Sequence, residues 1–179
     1  PIGSKKDGKW VMGVNKVQLG TSITVEITGF GHEGQGVGRW NETAVFIAGA
    51  LPGETVQARV RRCAKRHLEA DLIEVTQAHA ERQKPPCILA ERCGGCSRQH
   101  ASAAMQLELK RDLVQQSWSR LAKLDVAVEP VWGCEHSLGY RNRALIPLER
   151  AEDGRLRAGY YRRGSHKIVN LNHCPVLDP

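Results

Sequence analysis

The sequence has no run of about 18 consecutive apolar residues, the length that a membrane-spanning helix requires. Its start also lacks the short apolar segment with basic flanks that is typical of a secretory signal peptide. Wholesale disorder is excluded, because 41% hydrophobic and 25% charged residues are ordinary values for a globular protein. These properties predict a soluble protein of the cytoplasm without a membrane partner.

The length of 179 residues leaves room for one large domain or two small ones. The chain begins at Pro1 without a methionine and stops at Pro179 without a polar tail. We therefore expect the chain to be part of a longer protein.

Positive charge exceeds negative charge, with 26 lysines and arginines against 19 acidic residues and a net charge of +7. A balance of this size favours a polyanionic partner such as nucleic acid. A basic surface without a binding role is the alternative that charge alone leaves open.

Short strands are predicted between residues 21 and 77. Apolar and polar residues alternate in most of these segments, as is typical of half-buried strands. The predicted strands are Ile23–Thr28, Ala44–Ile47, Val56–Arg61 and Leu68–Ile73, and the glycine-rich stretch from Gly29 to Gly38 predicts turns. Short strands at regular spacing indicate a small, closed, OB-like β-barrel, a fold that commonly binds single-stranded nucleic acid.

Cations are concentrated where the third predicted strand turns into the fourth. They are Arg59, Arg61, Arg62, Lys65 and Arg66, and no acidic residue interrupts them. Their position on a barrel favours contact with nucleic-acid phosphates. A solvated hairpin without a binding role is the alternative.

Three of the six cysteines form the pattern C-x5-C-G-G-C at Cys87, Cys93 and Cys96. Without a secretion signal, clustered cysteines indicate metal binding or chemistry more than disulfides. We expect Gly94 and Gly95 to supply the positive φ values that let the sulfurs converge on one point. Cys174, which precedes a proline, is the natural fourth ligand.

Spacing leaves three interpretations of these thiols open. Zinc sites usually use paired C-x2–4-C knuckles, and only one such pair is present. One compact triplet with a remote Cys-Pro fits a 4Fe-4S cluster better, while zinc and unrelated thiols remain alternatives. Cys63 and Cys134 are interpreted as small packed residues.

One long helix is predicted from Ala101 to Lys123, which contains no glycine or proline. Its helical stripe is expected to be a buried packing face, and its members are Ala104, Leu107, Val114, Trp118 and Leu121. Three strands are predicted beyond it, at residues 143–148, 157–161 and 167–171, with a hairpin turn at Asp153–Gly154. The last of these strands returns Cys174 towards the cysteine triplet.

Five sequence blocks carry a family resemblance: GHEGQGVGR at 31–39, ALPGE at 50–54, C-x5-CGGCSRQH at 87–100, GYRNRA at 139–144 and AGYYRRGSHKIVNLNHCPVL at 158–177. In this order they resemble the amino-terminal part of the bacterial RNA (uracil-5-)-methyltransferases, most closely those that act on 23S ribosomal RNA. The resemblance covers residues from about 20 to 179.

The resemblance implies an α+β chain, mainly β with one long helix. After a loose leader at 1–16, it implies an OB-like, five-stranded TRAM barrel for RNA binding at 17–77. An iron–sulfur loop at 78–100 follows, and then a helix with a small antiparallel sheet at 101–179. A Rossmann-like methyltransferase domain would be missing. The implied 4Fe-4S ligands are Cys87, Cys93, Cys96 and Cys174, the same four that spacing selects.

The reaction of this family transfers a methyl group from S-adenosylmethionine to C5 of a flipped-out uracil, while a cysteine thiolate adds to C6. No residue of this chain matches the nucleophile or cofactor-binding motifs, so we predict no catalytic residue. The whole protein is expected to be a methyltransferase, and residues 1–179 alone to be inactive. A zinc-bearing, stand-alone RNA-binding module is the competing class.

Family members that act on transfer RNA typically lack the barrel or the cluster, so the resemblance favours ribosomal RNA as partner. A transfer RNA methyltransferase is the alternative. The other implied partner is the missing carboxy-terminal catalytic domain, in a whole enzyme that is a monomer. That domain would cover part of the long helix, so its Leu107, Trp118 and Leu121 face would be exposed here.

Two arginines in the GYRNRA block match a region of RNA contact in this family. They are Arg141 and Arg143, for which we expect contact with a phosphate or with the flipped nucleotide. Arginines on the surface of a sheet, without a binding role, are the alternative.

Overall fold

The computed structural model describes residues 17–178 and the backbone of two strands before them, β1 (Lys5–Lys6) and β2 (Lys9–Trp10), which pair with each other. The rest of the leader predicted at 1–16 lies outside the described residues. The chain divides into two compact units, Pro1–Ala80 and Glu81–Pro179.

Five strands of the first unit form a closed barrel. They are β3 (Ser22–Phe30), β4 (Gln35–Trp40), β5 (Thr43–Ala48), β6 (Thr55–Cys63) and β7 (His67–Gln77). Around the barrel the order is β3-β4-β5-β7-β6, in which β5 and β7 are parallel and every other pair is antiparallel. The predicted OB-like barrel is confirmed.

Alternation of apolar and polar residues builds the core of the barrel. In β3, Ile23, Val25 and Ile27 are buried while the residues between them are exposed. The other strands add Val45, Ile47, Val56, Ala58, Val60, Leu68 and Ala70 to the same cluster. Full burial of one such aliphatic side chain contributes roughly 1.5–3 kcal/mol, so this cluster contributes strongly to the stability of the unit.

The turns predicted for Gly29–Gly38 are present only at residues 32–34, because β4 runs through the second half of the stretch. A Cβ at Gly38 would lie 2.2 Å from the carbonyl oxygen of Glu26, and one at Gly36 would lie 2.9 Å from Ile27 Cγ2. Neighbouring backbone and core side chains therefore require glycine at these two positions. Since a strand with alternating glycines has no apolar period, its sequence is easily mistaken for a loop.

The second unit contains one long helix, α1 (Ala103–Ser117), followed by a π-helical turn at Trp118–Ala122. Ser102 caps the amino terminus of α1, where its side chain accepts a hydrogen bond from the Met105 N–H over 3.1 Å. The chain leaves the helical conformation at Lys123, which has a left-handed φ of +58°. The predicted helix is confirmed.

The prediction that the apolar stripe of the long helix is its buried packing face is wrong. The structure buries Met105 and Leu109, while Val114, Trp118 and Leu121 are exposed. Helical residues four apart share a face, so the buried face is set by Met105 and Leu109 and the predicted stripe lies mainly beside it. The exposed position of Trp118 and Leu121 agrees with the expectation from the family resemblance.

A two-stranded antiparallel sheet follows, built from β8 (Leu148–Arg150) and β9 (Leu156–Ala158). The predicted turn between them is present, and Gly154 adopts a φ of +79° there. The strand expected at 143–148 is mostly irregular, and residues 167–171 pair only through a β-bridge between Tyr161 and Ile168. Over the described part of the chain, no helix is both long and apolar enough to cross a membrane.

Candidate functional site

Four cysteines of the second unit line one cavity. They are Cys87, Cys93 and Cys96 from the loop before α1 and Cys174 from the end of the chain, the same four that spacing selects. The cavity has a volume of about 50 Å³. Roughly 10–15 Å³ of such space holds one water molecule, so the cavity has room for a group of several atoms.

Short-range hydrogen bonds shape the cysteine loop. The Ala90 N–H bonds to the Cys87 carbonyl over 3.1 Å, and the Cys93 N–H bonds to the Leu89 carbonyl over 2.8 Å. These turns fold the x5 segment back on itself, which brings Cys87 and Cys93 to the same cavity.

A pairing between two remote segments presents the fourth cysteine. The Arg141 N–H bonds to the Val176 carbonyl over 3.0 Å, and the Gly139 N–H bonds to the Pro175 carbonyl over 2.9 Å. Cys174 directly precedes this pairing, which fixes its approach to the cavity.

The prediction that the two glycines of the cysteine loop supply positive φ values is wrong. Neither Gly94 nor Gly95 has a positive φ. A Cβ at Gly94 would instead lie 2.8 Å from the Tyr161 carbonyl oxygen, and one at Gly95 would lie 3.3 Å from the ring of Tyr160. The glycines therefore allow residues 160–163 to approach the loop.

The cysteine sulfurs accept hydrogen bonds from neighbouring donors. The Gly95 N–H points to Cys93 Sγ over 3.4 Å. Burial raises the pKa of the Cys96 thiol, and the nearby Cys174, Cys93 and Cys87 raise it further, while a hydrogen bond from Gln99 opposes them. The thiolate of Cys96 is thus disfavoured unless a positive charge compensates it, and a bound metal centre would supply that charge.

Three polar side chains share the cavity lining, and sequence reasoning missed two of them. The buried Gln99 Oε1 and Tyr160 hydroxyl make no hydrogen bond of normal geometry within the described structure. The Arg141 guanidinium lies near enough to the Tyr160 hydroxyl to raise the pKa of Arg141. Only Arg141 had been singled out, because Gln99 and Tyr160 belong to no metal-ligand pattern.

The structure fixes no geometry for a single metal ion. Over the described residues, no group of three or more His, Cys, Asp or Glu side chains is arranged to hold one ion.

The interpretation of Cys63 and Cys134 as packed residues is wrong, because both are exposed. Cys63 is the last residue of β6, beyond the buried part of the strand, and Cys134 lies in an irregular segment.

On the barrel, an acidic residue of a neighbouring strand partly neutralises the predicted group of cations. Arg61 and Arg62 contact Glu69 on the neighbouring strand at 2.9 and 2.8 Å. Desolvation raises the pKa of Glu69, but the charges and hydrogen bonds of Arg62 and Arg61 outweigh it and leave the pKa lowered. The sequence shows no acid within the run, and the pairing of β6 with β7 brings one beside it.

The other three predicted cations of the barrel form no ion pair with a carboxylate in the described part of the chain. Arg59, Lys65 and Arg66 are exposed, and no carboxylate among residues 17–178 lies within ion-pair distance of them. Arg141 and Arg143 of the second unit are exposed as well. Contact of these residues with RNA stays a prediction.

The first unit is a recognised domain. The TRAM domain family matches residues 16–73, a range that contains β3 to β6 and most of β7. The chain therefore contains a TRAM domain, as the sequence resemblance implied.

The similarity to known proteins extends through both units. The chain is 38% identical over 162 residues to an uncharacterized RNA methyltransferase of Synechocystis, a match that covers 90% of this chain and 35% of the relative. A second such relative, from Parasynechococcus marenigrum, is 41% identical over 160 residues, with 89% and 34% covered. The chain thus spans about a third of the length of these relatives. The matches confirm the resemblance to the amino-terminal part of RNA methyltransferases.

A solved structure is similar in fold over most of the chain. The tRNA (uracil-54, C5)-methyltransferase of Pyrococcus abyssi, solved with S-adenosyl-L-homocysteine, matches with a TM-score of 0.55 and 26% sequence identity. The match covers 87% of this chain and 33% of that protein.

Proposed function

We propose that this chain is the amino-terminal, RNA-binding and 4Fe-4S-carrying part of an S-adenosylmethionine-dependent 23S rRNA uridine C5-methyltransferase. It binds and positions RNA, while a carboxy-terminal domain outside this chain performs the methyl transfer. The observation that carries the proposal is the similarity to RNA methyltransferases, which extends over both units and about 90% of the chain.

The thiol donor set supports the 4Fe-4S part of the proposal. Four cysteines from two segments line one cavity with room for several atoms, and four thiolates are the usual ligands of such a cluster. We assign Cys87, Cys93, Cys96 and Cys174 as ligands. A bound cluster would supply the positive charge that offsets four thiolates and would fix the ends of the loop. Zinc on the same thiols remains the competing assignment.

RNA binding is assigned to the barrel and to the second unit. Arg59, Lys65 and Arg66 present unpaired positive charge at the end of the barrel, where phosphates can be contacted without displacing a carboxylate. Arg61 and Arg62 contribute less, because Glu69 already binds them. Arg141, which lines the cysteine cavity, and Arg143 add contacts on the second unit.

The exposed apolar side chains of the π-helical turn that follows α1 are assigned to contact with the missing domain. Leu121 is 83% and Trp118 is 39% exposed, although both are large apolar side chains. Contact with a further domain of the same protein would bury them.

We also propose that the whole protein is a monomer of the cytoplasm, a reducing compartment in which the six free cysteines persist.

A transfer RNA substrate is the second candidate, because the structural match acts on tRNA. The test uses the whole protein with S-adenosylmethionine and either 23S rRNA or unmodified tRNA, with C5-methyluridine measured by mass spectrometry. We expect the modified base in rRNA and none with residues 1–179 alone. Methylation of tRNA only would move the substrate to the second candidate, and methylation of neither RNA would contradict the proposed activity.

A further inference from the structure

A second group of cations lies on a hairpin of the second unit, residues 161–168. The Arg162 N–H bonds to the Lys167 carbonyl over 2.8 Å, and the Ser165 N–H bonds back to the Arg162 carbonyl over 3.0 Å. Gly164 closes the turn with a φ of +65°, a conformation that glycine adopts without strain. These bonds make the segment an ordered hairpin.

The cations of this hairpin have no acidic partner. Arg162, Arg163 and Lys167 are exposed, and no carboxylate within residues 17–178 lies at ion-pair distance from any of them. The sequence contains no acidic residue from Gly154 to Leu177. In contrast, Arg157 in the adjacent sheet lies 3.8 Å from Glu149. An uncompensated patch of positive charge attracts polyanions.

The hairpin is attached to the cysteine loop. The Gly94 N–H bonds to the Tyr161 carbonyl over 2.8 Å, and Arg163 Nη2 bonds to the Cys96 carbonyl over 3.2 Å. Cys93 and Arg162 form a β-bridge. The backbone that carries the cations is thus held beside the proposed cluster site.

An exposed aromatic side chain accompanies these cations. Tyr161 is 42% exposed, and its ring packs edge-to-face against His166 with 5.5 Å between the ring centroids. A tyrosine ring beside unpaired cations is a common combination in proteins that bind single-stranded nucleic acid, because bases stack on the ring while phosphates meet the charges.

We propose that the hairpin of residues 161–168 is a further RNA-binding surface, on the second unit. Arg162 and Lys167 contact backbone phosphates, and Tyr161 offers a ring for base stacking. This inference rests on RNA binding by the chain, and it adds a contact surface that the predicted RNA-binding residues do not include.

The test compares RNA affinity at several salt concentrations, with a fluorescein-labelled single-stranded 20-nucleotide RNA and the whole 179-residue chain. The hairpin variant is Arg162→Gln with Lys167→Gln. The matched control is Arg155→Gln with Arg157→Gln, which removes two positive charges that already face Asp153 and Glu149. Arg163 stays unchanged because it bonds to the cysteine loop.

We expect the hairpin variant to bind roughly ten-fold more weakly near 0.1 M salt, with a slope of log K against log salt that is shallower by about 1.4. The control should keep the slope of the unaltered chain. An unchanged slope in the hairpin variant would overturn the proposal. Failure of the unaltered chain to bind RNA at all would instead overturn RNA binding as a whole.

A measurement on the unaltered chain covers the case in which the variant does not fold. Trypsin cleaves after exposed Arg162, Arg163 and Lys167, so bound RNA should slow cleavage at these bonds relative to cleavage after Arg155. Equal rates with and without RNA, while RNA is bound, would also contradict the proposal.

Discussion

The barrel and the second unit differ in how much apolar surface they bury. The barrel closes its hydrogen-bonded edges around a cluster of fully buried aliphatic side chains. The described part of the second unit buries only five apolar residues, namely Ala101, Met105, Leu109, Val169 and Val176. Many of its large apolar side chains face outwards instead, Trp132 and Leu145 among them.

This difference shows where each unit obtains its stability. The closed barrel has an apolar core of its own. A unit with few buried apolar residues needs another source of free energy, as small domains commonly do. Under our proposal, two such sources are metal bonds to the four cysteines and burial of the exposed apolar side chains against the rest of the protein.

The largest expected effect is that of replacing one cysteine, which should change the second unit and leave the barrel intact. Cys96→Ser should abolish binding of the metal centre and make residues 81–179 sensitive to protease, because the centre that links the loop to the segment of Cys174 loses one of its four ligands. The barrel should remain resistant. Metal analysis and limited proteolysis measure both effects. Cys134→Ser is the control, since Cys134 is exposed and does not line the cavity. Equal metal content in the two variants would contradict the assignment of ligands.

The same substitution in each unit tests the contrast in packing. Leu68→Ala should destabilise the barrel by about 2–5 kcal/mol, because Leu68 is fully buried and the change leaves a cavity. Leu121→Ala should change stability by less than about 0.5 kcal/mol, because Leu121 is 83% exposed. Urea denaturation measures both. A large loss from Leu121→Ala would show that the exposed face of the helix already has a partner within this chain.

Glycines of the barrel provide a smaller, purely steric test. Gly38→Ala should cost about 1–3 kcal/mol or more, because its Cβ would overlap the Glu26 carbonyl oxygen at 2.2 Å. Gly29→Ala is the control, since a Cβ there meets no atom within 4 Å. Thermal unfolding of the two variants should therefore differ clearly. Equal midpoints would mean that β4 does not pack against β3 as described.

The smallest expected effect concerns the ion pairs of Glu69. Its lowered pKa means that the contribution of these pairs to stability is present above the usual value of 4.5 and is lost as pH falls below it, through the folded-state pKa. Glu69→Gln should remove this pH dependence and cost about 0.5 kcal/mol at pH 7. It should also strengthen RNA binding several-fold, since Arg61 and Arg62 become available. Unchanged affinity would exclude both arginines from the RNA-binding surface.

The sequence predicted the parts of this structure that depend on short-range patterns. Alternation along residues 22–28 identified β3, and the spacing of Cys87, Cys93 and Cys96 identified the loop of the cavity. It missed β4, because Gly36 and Gly38 interrupt the apolar period. It missed the neutralisation of Arg61 and Arg62 as well, because Glu69 reaches them only through pairing of two strands.

The second unit was less predictable for a related reason. Its contacts join segments far apart in the chain, such as the Gly94 N–H with the Tyr161 carbonyl, and no local pattern encodes them. The cationic hairpin had one visible sign, the absence of acidic residues from Gly154 to Leu177, whose meaning depends on the structure.

The central claim is that four cysteines organise the second unit around an iron–sulfur cluster. The most direct test is an assay of iron, sulfide and zinc, together with an absorption spectrum, on protein purified without oxygen. We predict about four irons and four sulfides per chain, with a broad absorption band near ~400 nm. Stoichiometric zinc without sulfide, or no metal at all, would contradict the claim.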